Sequence, residues 1–235
     1  MSIATEFEVI ADAVYEKGKK DEYDKFWDSF QNKGKRTNYQ NGFAGKGWNG
    51  TTFKPKYDIL PIGNLGSMFQ ETEIKDFESI LKECNIKFST AQGTTLARLF
   101  YFSYNLISVP EIDSRGSTGS DVFASTFGTC KKLKTIRKLI LKDDGSQPFS
   151  STFSSCTELE DIVIEGKIGQ SGFNVKDSTK LTTASLLSIL TALSKEVGGK
   201  SITFSTAHQS VIESDAQCLE QYNLAIGAGW TIAYA

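Results

Sequence analysis

The sequence predicts an α/β solenoid, with parallel strands stacked in short coils, entered through an N-terminal helical region and closed by a C-terminal α/β cap. Three observations predict it. One apolar frame recurs at a near-constant period, β-branched residues follow each copy, and strand and helix patterns alternate after the last copy. At 235 residues, 39% hydrophobic and 23% charged, the chain has the length and composition of one sizeable globular domain with terminal additions.

In chain order, Phe7, Ile10 and Val14, then Tyr23, Phe26, Trp27 and Phe30, recur at helical spacing, with Gly18 weakening the helix between them. A kinked helix or helical hairpin is expected within residues 1–33. Residues 34–66 are rich in Gly, Asn and aromatics and contain Pro55 and Pro61; they read as an ordered connector. Its rings Tyr39, Phe43, Trp48, Phe53 and Tyr57 are expected to pack on the Tyr23/Phe26/Trp27/Phe30 stripe, and an exposed Trp48 would instead favour partner binding. A stripe left uncovered would drive homo-oligomerisation through the N-terminal helix.

The repeats are expected over residues 67–180. Phe100/Ser103/Leu106/Val109, Phe127/Cys130/Leu133/Ile136 and Phe153/Cys156/Leu159/Ile162 share one frame with three-residue steps, and their Phe residues lie 27 and 26 residues apart. A degenerate copy follows at Val175/Ser178/Leu181, and a looser one precedes at Phe69/Thr72/Ile74. Periods of 20–29 belong to leucine-rich-repeat-like solenoids, in which each unit buries its apolar edge only against its neighbours. Phe-x-x-Cys sets a ring and a thiol about one turn apart, both facing inward, and the following Ile and Val residues supply the strand.

Residues 181–235 read as the cap. Thr182 N-caps a helix through Leu186, Ile189, Leu190 and Leu193, expected to end at Gly198-Gly199. A strand centred on Ile202 and Phe204 follows. Ser214 and Gln217 form a capping-box pattern for a further helix through Leu219, Tyr222 and Ile226, and Trp230–Tyr234 is the last strand. Strand, helix, strand implies two more parallel strands, joined by a right-handed crossover and continuing the repeat sheet.

Composition excludes several function classes. A net charge of −2 disfavours a dedicated nucleic-acid binder. No apolar run approaches the roughly 18 residues of a membrane span, so no membrane insertion is expected. The acidic N-terminus lacks the basic and apolar regions of a secretory signal, so Sec export is not expected. Cys84, Cys130, Cys156 and Cys218 are spread without a C-x-x-C pair, and Ser takes the cysteine position in the first good copy. Free buried thiols, with no metal and no cofactor, are the expectation.

Gly45, Gly47 and Gly50 match G-x-G-x-x-G by letter, but Pro55 stands where a nucleotide-binding helix would have to run. Asp143-Asp144-Gly145 lacks the further carboxylates of a calcium loop and reads as a turn. The single histidine, His208, lies in a polar stretch with no G-x-S-x-G elbow and is expected to be solvated. No catalytic constellation emerges, and a non-enzyme is expected. Lys131, Lys132, Lys134, Arg137, Lys138 and Lys142 in one coil face Glu158, Glu160, Asp161 and Glu165 in the next, where cross-coil pairing on a solvated face is expected.

The F-x-x-C-x-x-L-x-x-I frame, closest at Phe127–Leu141 and Phe153–Ile164, resembles the BspA-like class of leucine-rich repeats. The N-terminal runs Val14–Lys20 and Glu22–Asp28, the pairs Asn38-Tyr39 and Gly47-Trp48, Phe43–Gly45, Phe53–Asp58 and the closing Gly229–Ala233 resemble members of that class from phages and prophages of gut-type bacteria. The resemblance implies a virion protein of the tail or baseplate, structural or host-binding, made in the host cytoplasm. Its partners would be other tail proteins or a host surface protein or glycan. A bacterial surface adhesin is the alternative. Candidate contact residues are the outward strand positions Thr135, Arg137, Asp161, Val163 and Glu165, together with Trp48.

Overall fold

The computed structural model describes residues 66–67, 69–72, 75, 88–89, 95–196 and 198–235. The expected N-terminal helical segment, almost all of the connector and Trp48 lie outside the described residues. The described part is α/β with two parallel sheets. The first has four strands in chain order: β1 (Phe88–Ser89), β2 (Ser108–Asp113), β3 (Thr135–Ile140) and β4 (Asp161–Glu165). The second has three: β5 (Phe173–Asn174), β6 (Lys200–Phe204) and β7 (Trp230–Tyr234). Helix α1 (Thr183–Ala192) follows β5, and α2 (Gln209–Ser214) and α3 (Ala216–Gly227) lie between β6 and β7.

The three-residue steps of the frame correspond to a chain of tight turns. Cys130 N–H donates to Phe127 O and Leu133 N–H to Cys130 O; Cys156 to Phe153 and Leu159 to Cys156 repeat the pattern one unit later. These i to i+3 bonds bring Phe, Cys and Leu to one side, and all six of these side chains are buried. Alternate residues bond outward to the following unit: Arg98, Phe100 and Phe102 N–H donate to Ala124, Thr126 and Gly128 O, and Ser125, Phe127 and Thr129 to Ser150, Thr152 and Ser154 O. In these two units turn and inter-unit bonds together take up the amides of the frame residues, as a closed interior demands.

Stacking follows from that register. Phe69 and Phe100, Phe100 and Phe127, and Phe127 and Phe153 lie with ring centroids 5.7, 5.8 and 5.8 Å apart and planes within 13° of parallel. A second column runs through Phe123 and Phe149, 4.8 Å apart. Offset-stacked pairs of this kind contribute about 0.5–1.5 kcal/mol each beyond area burial.

The Cys/Ser position has a second use besides filling space. Ser103 Oγ donates to Phe69 O at 2.8 Å, Cys130 Sγ to Phe100 O at 3.0 Å and Cys156 Sγ to Phe127 O at 3.1 Å. Each small donor satisfies the carbonyl of the Phe one unit earlier, which is why thiol and hydroxyl exchange here and a larger apolar side chain does not appear.

Each unit also carries two non-glycine residues of left-handed backbone, two residues before and two after its Phe: Ser67/Glu71, Arg98/Phe102, Ser125/Thr129 and Ser151/Ser155. Thr129 is the costliest, a β-branched residue at φ 66°. Thr129→Asn, which tolerates that region and leaves the Thr129 N–H to Ser154 O bond in place, is expected to stabilise the fold by about 0.5–1 kcal/mol, read as a raised urea midpoint with unchanged slope. A lowered midpoint would show that the threonine side chain is needed there.

Helix α1 determines where the first sheet ends. Thr182 caps it as expected, its side chain accepting from Ser185 N–H. Ser185 Oγ accepts from Ile162 N–H at 3.0 Å and Ser188 Oγ from Ile164 N–H at 2.8 Å, so two serines one turn apart satisfy donors that a fifth strand would otherwise take. The expectation that the C-terminal strands continue the repeat sheet is therefore corrected: β6 and β7 pair in parallel with each other and β5 in a sheet of their own. The helix also ends sooner than Gly198-Gly199, at Ala192. There Leu193 forms a parallel bridge to Ile168, and Lys195 Nζ caps the Leu190 carbonyl at 2.9 Å. The cap of α3 is Asp215, whose carboxylate accepts from Cys218 N–H at 2.9 Å; Ser214 is the last residue of α2.

His208 is the largest departure from expectation. It is 2% exposed, edge-on to Phe204 with ring centroids 6.2 Å apart, and neither ring nitrogen has a hydrogen-bond partner. Burial holds its pKa below the ordinary 6.5, with the backbone of Ser178 and Thr179 acting in the opposite sense. Burial therefore disfavours the protonated ring in the fold. Below the unfolded-state value only the unfolded chain takes up the proton, so this contribution is complete above about pH 6.5 and is lost as pH falls from there towards the depressed folded value. Wild-type stability is expected to fall between pH 7 and 5 by up to about 1.4 kcal/mol per pH unit, and His208→Phe to flatten that slope. Equal slopes in urea titrations of the two proteins would reject the assignment.

Candidate functional site

The candidate surface is the outward side of β2, β3 and β4, and the strand pattern builds it. β4 alternates strictly, with Ile162 and Ile164 buried and Asp161, Val163 and Glu165 exposed. The register pairs Thr135 with Asp161 and Ile136 with Ile162, then slips, so that Leu139 meets Ile164. Arg137 and Lys138 therefore stand opposite Val163 alone, a bulge that widens the outward side at its centre.

The structure gives the five described candidates different surroundings. Thr135 is half-buried at the start of β3. Arg137 is exposed within the bulge. Asp161 is exposed but engaged, its Oδ1 accepting from Thr182 Oγ1 at 3.1 Å beside the N-terminus of α1. Val163 is 47% exposed, an apolar residue in the middle of a charged face. Glu165 reaches Lys138 Nζ at 3.2 Å.

Lys138, expected from sequence only to pair with the acidic residues of the next unit, belongs to this face, as does Glu111, which was not singled out. Lys138 Nζ lies 3.2 Å from Glu165 and 3.7 Å from Glu111, making a three-residue charge row across three strands. Glu165 first, then Glu111, raises the Lys138 pKa. A signal existed: Glu111, Lys138 and Glu165 are each 27 residues apart, the repeat period itself. Cross-unit pairing recurs in Lys134 with Glu160 at 3.2 Å and Lys180 with Glu158 at 2.6 Å. Such solvated pairs contribute little to stability; they fix the pattern of charge shown to a partner.

Chemically, the described side chains of this face present paired charges around one exposed apolar residue. The inward thiols are held protonated by burial, Cys156 with its pKa raised to about 12 and Cys130 also well above the ordinary value. They are therefore poor nucleophiles and poor metal ligands. Cys130, Cys156 and Cys218 are free thiols, and Cys84 lies outside the described residues. Among the described residues no helix is long and apolar enough to cross a membrane. No family model matches the chain, and no curated protein or solved structure matches it.

Proposed function

We propose that the stacked units are coils of a leucine-rich-repeat-like solenoid of the BspA-like class, and that the protein is a non-enzymatic component of a phage tail or baseplate. In this reading it is made in the host cytoplasm, incorporated into the virion, and holds a tail protein or a host surface protein or glycan on the outward strands. The observation that carries the docking role is the β2–β4 face, where exposed Val163 is framed by Arg137 and the Glu111–Lys138–Glu165 row. An apolar contact ringed by fixed charges of both signs suits a protein partner, the apolar centre giving affinity and the charges register. The phage setting is supported by the sequence resemblance alone.

The test is proteomic and then genetic. Purified particles should contain the chain at a copy number matching a symmetric tail or baseplate ring. Particles from a Val163→Glu, Lys138→Glu double variant should lose it, or lose host attachment, while the isolated variant melts within a few degrees of wild type. Finding the chain only in uninfected cytosol, with no phage genes around it, would defeat the assignment. Incorporation and attachment that both survive the double variant would move the docking role to another face.

A further inference from the structure

Among the described residues, the second sheet ends on a strand with no partner on its outer side. β7 stands last in the order β5-β6-β7, and its register to β6 runs unbroken from Trp230 to Tyr234. The phase of that pairing is fixed by bonds at its margins. Ala235 N–H donates to Phe204 O, Thr206 N–H donates to Ala235 O, and Val175 N–H donates to Thr203 O from the β5 side. Peptide groups alternate along a strand, so Thr231, Ala233 and Ala235 turn theirs towards β6, while Trp230, Ile232 and Tyr234 turn theirs outward. Among the described residues nothing accepts from the Ile232 or Tyr234 amide.

Two other sheet margins are closed. Ser185 and Ser188 take the outer amides of β4, and β5 is only two residues long. Proteins blunt an open margin with charge, proline or a bulge. β7 has none of these: residues 221–235 contain no charged side chain and no proline, and the pairing with β6 has no register shift. Its Trp, Thr, Ile and Tyr are strong strand formers. Beside it, Leu224 and Ile226, in the last turn of α3 before β7, are 49% and 42% exposed.

We propose that β7 pairs antiparallel with β7 of a second copy of this chain, joining two three-stranded sheets into one of six strands. A twofold axis at Ile232 sets Ile232 opposite itself and Trp230 opposite Tyr234. Every outward peptide group then meets an outward one, as the hydrogen-bonded positions of an antiparallel pair require. The intervening positions set Thr231 opposite Ala233, both small and exposed, so neither bulk nor like charge opposes the approach. A charged margin would select an oppositely charged partner, whereas this uncharged one is complementary to itself. Pairing consumes the open margin of both copies, so assembly closes at two. The surface is separate from the β2–β4 face and does not rest on the docking role proposed for it.

The experiment is sedimentation velocity of the full chain from low micromolar to near-millimolar concentration, with hydrogen exchange read amide by amide. A monomer–dimer equilibrium is expected. The Ile232 and Tyr234 amides should gain protection as the dimer forms, whereas Thr231 and Ala233 should be protected throughout. Thr231→Lys with Ala233→Lys places like charges opposite each other twice, on side chains exposed in the single chain, and should weaken dimerisation about tenfold. Thr231→Lys with Ala233→Glu places opposite charges in the same two pairs and should restore it. A chain that stays monomeric would overturn the proposal and leave the margin to a strand of another protein. So would assembly beyond two copies, unchanged exchange at Ile232 and Tyr234, or a dimer that the two double variants affect alike while each melts like wild type.

Discussion

Leu159→Asp is expected to leave the chain unfolded at 25 °C. Leu159 is fully buried and closes the turn that begins at Cys156, immediately before β4. An aspartate there loses the leucine's burial, about 2–3 kcal/mol, and places a carboxylate among the apolar neighbours of two units. Even if the carboxyl takes up a proton, the desolvated polar group costs several kcal/mol more. The sum is comparable to the roughly 5–15 kcal/mol that holds an ordinary domain together. Leu159→Met, which keeps volume and polarity, should cost under about 1.5 kcal/mol and serves as the control. Far-UV circular dichroism and urea melts read both. A Leu159→Asp protein with a native spectrum and a cooperative melt near the wild-type temperature would mean that Leu159 is not enclosed.

Much of the described fold is legible in the sequence where a short-range rule fixes it. The three-residue frame is visible because each step is one tight turn, so the same spacing must recur wherever the turn does. Thr182 is visible as a cap because the hydroxyl and the amide it serves are three residues apart. The end of the first sheet is not visible in this way. Whether α1 or another strand covers β4 is decided by Ser185 and Ser188 meeting Ile162 and Ile164 across more than twenty residues, and nothing local marks those serines as edge caps.

The same division holds for the surfaces. Val163 and Glu165 can be assigned outward from strand alternation alone, whereas the role of Lys138 depends on the bulge that brings it between Glu111 and Glu165. The shortened spacing from Phe153 to Val175 is plain in the sequence. Its consequence, the pairing of Phe173 and Asn174 with β6 in a second sheet, is not. His208 misleads because its neighbours in the chain are polar; what buries it is the cap built around Phe204.

Phe127→Ala is expected to cost about 4 kcal/mol. Phe127 is fully buried at the middle of the ring column, stacked on Phe100 at 5.8 Å and on Phe153 at 5.8 Å. Truncation removes both stacked contacts and leaves a ring-sized cavity. Its walls are pinned by Cys130 Sγ on Phe100 O and by the Phe127 N–H to Thr152 O bond, so they cannot close over it. Where each unit rests mainly on its neighbours, an interior loss weakens two interfaces. Urea denaturation reads the cost as a lowered midpoint. A cost below about 2 kcal/mol would show that the core collapses around the missing ring instead of holding its register.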